Sequence, residues 1–260
     1  MQVVTSEEYR QILDISVESL ARLSGATDTE DVPDSQRSFK LKQQLGVLQS
    51  KPQAEQAKIH HELAAKHLPI LAAKFKQSKG PLNAPMTLLN VISYTPYFVR
   101  FIGTPDGHGI AALQAKRMNE SEVEHTDRDQ IGEMCQFLAT LLLLQGVNGI
   151  DADEKASLVK RLKKWERTFP GRLASTASSR SLAILNNEIG MRRALDQSRK
   201  TIIRGVEQCG ADGCFRRRDS QTPGPELKQC ARCKTAIYCG PEHQKQAWST
   251  HKGLCFAPSF

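Results

Sequence analysis

The chain has 260 residues and a mass of 28.9 kDa, room for one ordinary domain with a small module attached. Hydrophobic residues make up 39% and mean hydropathy is -0.44, which supports a helical core, while no apolar run approaches the roughly 18 residues that cross a bilayer. The formal charge of +8 is mildly basic, and the N-terminus MQVVTSEEYRQ lacks the basic-then-apolar order of a secretory signal, so an intracellular site, cytoplasmic or nuclear, is expected.

In chain order, residues 5 to 24 read as an amphipathic helix with Thr5 as cap, Glu8 completing a capping box and Gly25 as stop. Residues 26 to 36 read as a polar, acidic loop around Pro33. A second helix is predicted from Ser38 to Gln49. A third starts near Pro52, turns Ile59, Leu63, Leu68, Leu71 and Phe75 inward, and is expected to be kinked or divided by Pro69. The apolar stretch Met86 to Ile102 contains Pro96, which predicts two short helices. Turn chemistry at residues 103 to 107 precedes a short helix over Ile110 to Met118 and an acidic loop. Thr126 is predicted to cap a helix reaching about Gln145, and Asp151 to Phe169 reads as a charged helix with Leu158, Leu162 and Trp165 on one stripe. Residues 173 to 181 read as a serine-rich linker, and Leu182, Leu185, Ile189, Ile202 and Val206 suggest one last helix. The row of helical pairs is compatible with an irregular armadillo- or HEAT-like solenoid. The expected architecture is therefore mainly α, with a helical domain over residues 1–207 and a small zinc-stabilised module over 208–260.

That module carries most of the chemical information. Six of the seven cysteines fall in the last 52 residues beside two histidines, in the pattern C-x4-C-x15-C-x2-C-x5-C-x3-H-x7-H-x3-C. The residues are Cys209, Cys214, Cys230, Cys233, Cys239, His243, His251 and Cys255. Structural zinc takes four thiolate or imidazole ligands, usually as two close pairs, and four such pairs are present. Cys239 with His243, and His251 with Cys255, stand four apart, the spacing that would put each pair on one face of a helix. Without an export signal this spacing points to two zinc ions and not to disulfides. Six thiolates and two zinc ions lower the chain's charge from +8 to about +6.

The stretch CARCKTAIYCGPEHQKQAWSTHKGLC, Cys230 to Cys255, resembles the MYND-type zinc finger, with Tyr238, Gln244, Trp248, His251 and Lys252 in their expected places. The resemblance implies interleaved sites. Cys209, Cys214, Cys239 and His243 would hold one zinc, and Cys230, Cys233, His251 and Cys255 the other. Both departures from the family pattern, C-x4-C for C-x2-C and His243 for cysteine, fall in the first site, where Asp212 is an alternative ligand. The resemblance further implies a protein-interaction module that receives short proline-containing peptides in a shallow groove lined by Gln244 and Trp248. An indole face packs well on proline rings, and a glutamine amide can hold a peptide backbone. The bland reading is that both stabilise the terminal helix, with Ile237, Leu254 and Phe256 completing a minimal core.

Other features are weaker. Arg216-Arg217-Arg218 lies in the loop between the first two ligand pairs, but the 8 basic and 4 acidic residues of the last 52 come close to balance once thiolates and zinc are counted. Without interleaved aromatics, nucleic-acid binding is not indicated, and the run reads as a solvated loop. His60, His61 and His67 do not form the zinc-protease motif, because Ala65 stands where a histidine is needed, and they are expected at the surface or a boundary. Cys135 is expected to be a buried thiol. Some MYND proteins carry a SET methyltransferase domain, yet no glycine-rich cofactor segment or Asn-His motif occurs here, and no enzyme activity is expected. The reading is a zinc-binding interaction protein. Its rivals are a SET-related or other methyltransferase-type enzyme and a nucleic-acid-associated regulator.

Overall fold

The computed structural model describes residues 15–27, 34–120, 127–219 and 224–260. The first described helix is α1, Val17–Leu23, where the Ser16 side chain accepts from the Ser19 amide, while the N-terminal part of the helix predicted over 5 to 24 lies outside the described residues. Helix α2, Asp34–Gln49, and helix α3, Gln53–Gln77, follow. Pro69 does not divide α3. Proline has no N–H and leaves the carbonyl four residues back without its helical partner. Here that carbonyl, Ala65 O, accepts from the Ser259 amide at 2.9 Å and the Ser259 hydroxyl at 3.2 Å, and the hydroxyl also lies 3.0 Å from Lys66 O. A residue 194 positions away in sequence thus supplies the missing donor.

The far end of α3 is closed by another distant residue. The buried guanidinium of Arg117 donates to Phe75 O, Lys76 O and Ser78 O and lies over the Phe75 ring, 4.6 Å from its centre. Positive charge is favourable at a helix C-terminus. Two short helices then appear as the proline placement predicts: α4, Ala84–Ile92, capped by Asn83, and α5, Pro96–Phe101, capped by Thr95. A 3-10 turn at Pro105–Gly107 leads to α6, Ile110–Met118. Gly107 is required there, because a Cβ would stand 2.3 Å from Phe101 O.

Helix α7, Arg128–Gln145, is capped by Asp127, which accepts from the amides of Asp129 and Gln130, so the cap is not Thr126, which lies outside the described residues. A carboxylate beside the positive end of a helix is a stronger cap than a hydroxyl. Helix α8, Ala152–Thr168, buries the predicted stripe of Leu158, Leu162 and Trp165. The expected linker is instead the first part of a helix, α9, Leu173–Leu185, with Ala174, Ala177, Ser178 and Ser181 buried. Its small side chains let α9 approach α7 at Gly132, where a Cβ would lie 3.3 Å from the Ala174 nitrogen. The single helix expected after Leu182 is interrupted by Asn187, at φ 51, before α10, Arg192–Glu207.

The core is continuous. Phe137 of α7 meets Phe75 and Phe98 edge to face at 6.1 and 6.4 Å, and the same buried cluster extends through Tyr97 to Tyr238, Cys230 and Cys255. The mainly helical body and the cysteine-rich module therefore share packed apolar surface. No helix among the described residues is long and apolar enough to cross a membrane.

Candidate metal centre

The module is built from very short elements. Strands β1, Lys228–Gln229, and β2, Ile237–Tyr238, pair antiparallel, with Gln229 opposite Ile237, and helix α11, Pro241–His251, runs into a 3-10 turn at Lys252–Leu254. One strand pair and one helix of this size cannot supply a stable core without a covalent or metal staple. Backbone bonds lay the ligand loops across one another. The Cys209 amide donates to Arg216 O at 2.8 Å, the Gly210 amide to Ile237 O at 2.9 Å, and the Cys230 amide to Ala236 O at 2.8 Å.

The eight ligands converge in two groups, Cys209, Cys214, Cys239 and His243 in one and Cys230, Cys233, His251 and Cys255 in the other. Within each group the ligand atoms lie within 4.8 Å of one another. In the first, Cys214 Sγ to Cys239 Sγ is 3.6 Å and Cys209 Sγ to His243 Nδ1 is 3.4 Å. In the second, Cys230 Sγ to Cys255 Sγ is 3.7 Å and Cys233 Sγ to His251 Nε2 is 3.7 Å. A tetrahedron with Zn–S of about 2.3 Å and Zn–N of about 2.0 Å has edges of about 3.8 Å between sulfurs and about 3.5 Å from sulfur to nitrogen. The spacing therefore fits two zinc ions, in the interleaved arrangement, and is far too wide for disulfides.

Both departures from the family pattern are accommodated. The wider first pair loops out through Gly213, at φ +73, and the Cys214 amide returns to Ala211 O at 3.1 Å. Asp212 stays outside the cluster, exposed, and its carbonyl accepts from Gln246 Nε2. His243 faces the cluster through Nδ1, and His251 faces its own through Nε2.

Proton affinities favour a cation at each centre. Burial, reinforced by the neighbouring Cys209 and Cys214 sulfurs, pushes the Cys239 thiol up to about 12. Burial and the charges of Cys233 and Cys230 push the Cys255 thiol up to about 12. A hydrogen bond from the Arg216 amide draws Cys214 down. At Cys233 burial acts upward, but hydrogen bonds from the Thr235 hydroxyl, 3.3 Å away, and from nearby amides bring the thiol below its ordinary range. Each cluster thus sets a thiol drawn toward the thiolate beside one held back from it, an opposition that a bound divalent ion would relieve. Bound zinc would act as a structural cross-link joining both ends of the module.

Gln244 and Trp248 occupy successive turns of α11 and share a face. Trp248 is 44% exposed and its ring lies 5.8 Å from that of His251, while Gln244 is half-buried. Ile237 is fully buried, as is Tyr238, which the sequence reading did not place in the core. Gly210 is pressed on the Tyr238 ring, with room for a Cβ only 3.0 Å from it.

Residues 208–255 match the MYND finger family. The finger is also similar to N-lysine methyltransferase SMYD2 of Gallus gallus, at 41% identity over 59 residues, 22% of this chain and 12% of that protein. The chain thus matches about an eighth of that relative's length. No solved structure gives a significant match.

Several supporting residues escaped the sequence reading because they belong to the helical body. The Tyr97 hydroxyl of α5 accepts from the Phe256 amide at 2.8 Å and reaches Leu254 O and Phe256 O at 3.0 and 2.9 Å. Arg100 donates to Lys234 O in the loop that follows Cys233. His60 and His61, expected at the surface or a boundary, are buried: the Tyr94 hydroxyl lies 2.8 Å from His60 Nδ1, and burial, with His61 adjacent, lowers His60 to about 4. They belong to neither ligand group. Cys135 is buried as expected, its thiol raised to about 12 by burial.

Proposed function

We propose that the chain is a non-catalytic adaptor whose finger receives proline-containing peptides on the Gln244–Trp248 face of α11. MYND fingers are protein-interaction modules, and the observation that supports this use here is Trp248: a large indole left 44% exposed on a zinc-braced helix. An aromatic face held rigidly at the surface stacks on proline at little entropic cost, and Gln244 one turn away can hydrogen-bond the peptide backbone. The helical body, whose expected armadillo- or HEAT-like order belongs to the same proposal, serves as the platform. An intracellular site is part of it as well.

The test is binding of a labelled proline-rich peptide to zinc-loaded protein. Trp248→Ala should abolish binding with both zinc ions retained, and undiminished binding would refute the reading. The likeness to a lysine methyltransferase makes an enzyme the second reading. Saturable uptake of a methyl-donor cofactor would favour it over the adaptor.

A further inference from the structure

A cleft of about 660 Å³ lies where α5, α6, the end of α7, α10 and the finger meet; neither Gln244 nor Trp248 lines it, and it borders the second ligand group through Lys234 and Thr235, whose hydroxyl lies 3.3 Å from Cys233 Sγ. One wall is a single face of α10, formed by Arg199, Ile203, Val206 and Glu207, which recur at helical spacing. Val99 of α5 and Ile102, just past its end, also line it, as do Lys234 and Thr235, from the loop between Cys233 and β2. Four cationic side chains, Arg100, Arg199, Arg218 and Lys234, stand against one carboxylate, Glu207. Among the described residues none of the four forms an ion pair. Arg100 donates one bond to Lys234 O and Arg218 Nε one to Val206 O at 3.3 Å, so each guanidinium keeps further N–H groups for a ligand.

We infer that this cleft is a second docking site, for a short acidic peptide segment that carries an apolar side chain. Its size falls in the usual range for bound ligands. The charge excess selects carboxylates, and Val99, Ile102, Ile203 and Val206 form an apolar strip for the side chain between them. No Phe, Tyr or Trp lines it, so the stacking platform that single-stranded nucleic acid uses is missing. The walls are held firmly. Gly205 of α10 packs on Pro96, where a Cβ would come within 2.7 Å of the proline ring, and Arg100 ties α5 to the finger loop.

The site is independent of the Trp248 face, and one experiment separates them. Zinc-loaded full-length chain is titrated into a fluorescent peptide of alternating acidic residues around a leucine, with a lysine-substituted peptide and a single-stranded oligonucleotide in parallel. The acidic peptide should bind, the lysine peptide should not, and affinity should fall with salt. Arg199→Glu with Arg218→Glu should weaken binding about tenfold or more. Arg199→Glu alone, at one exposed helix position, should weaken it several-fold, and Trp248→Ala should leave it unchanged. Arg192→Glu with Lys200→Glu, the same charge change on α10 outside the cleft, should have little effect. Equal weakening by that control, tighter binding of the oligonucleotide, loss with Trp248→Ala, or no binding of the acidic peptide would each overturn the inference.

Discussion

His243 and His60 illustrate opposite uses of imidazole. His243 faces three sulfurs through Nδ1 and completes the first cluster, so His243→Ala removes one of four ligands there and none from the second. Competition with a chelator should release one zinc readily and the other slowly, and equal release would contradict the partition. His60 is buried and neutral, held at about 4 against an ordinary 6.5 by burial and then by His61. A base with a depressed folded value binds more protons when unfolded, so its contribution is complete above about pH 6.5 and is lost as pH falls toward 4. Denaturant melts across that window should show a smaller acid loss in His60→Gln than in the parent. A parallel pair of curves would mean that His60 does not govern that slope.

Among the elements, the proline-bounded helices α4 and α5, the stripe of α8 and the ligand pairs were legible, because each rests on local spacing. The serine-rich run of α9 was not. Its burial depends on how closely α7 comes at Gly132, a property of two helices together that composition alone disguises as a linker. The same holds for Pro69, whose tolerance comes from Ser259 and not from neighbours in sequence. In the module, the ligands and the pairing of the clusters were readable, while Tyr97 and Arg100, supplied by α5, gave no signal near the cysteines. Gly205 of α10 offers a test at this scale. Gly205→Ala should improve helix propensity by about 1 kcal/mol, yet push α10 from Pro96 and lower stability by about 1–3 kcal/mol in denaturant unfolding. A stabilised variant would show that the contact yields.

In the molecule as a whole, finger and helices are joined by Tyr97, Arg100, the tail at Ser259, and the Phe101–Phe260 ring contact at 5.2 Å. Stripping zinc should therefore reach beyond the finger. Chelation should slow or abolish refolding of residues 208–255 and also lower the melting temperature of the helical signal in circular dichroism, with Tyr97→Phe reducing that second effect. A helical transition indifferent to chelator would show two units that stand alone.

The proline in α3 gives this joining an unusual logic. Replacing Pro69 with alanine would return to Ala65 O a donor within its own helix and so mend a local fault. The mended carbonyl would then compete with Ser259 for the same lone pairs, and the tail would lose part of its reason to stay. A substitution that improves one helix would loosen the grip between α3 and the C-terminal tail, so the flaw in the helix is also the socket that holds the tail.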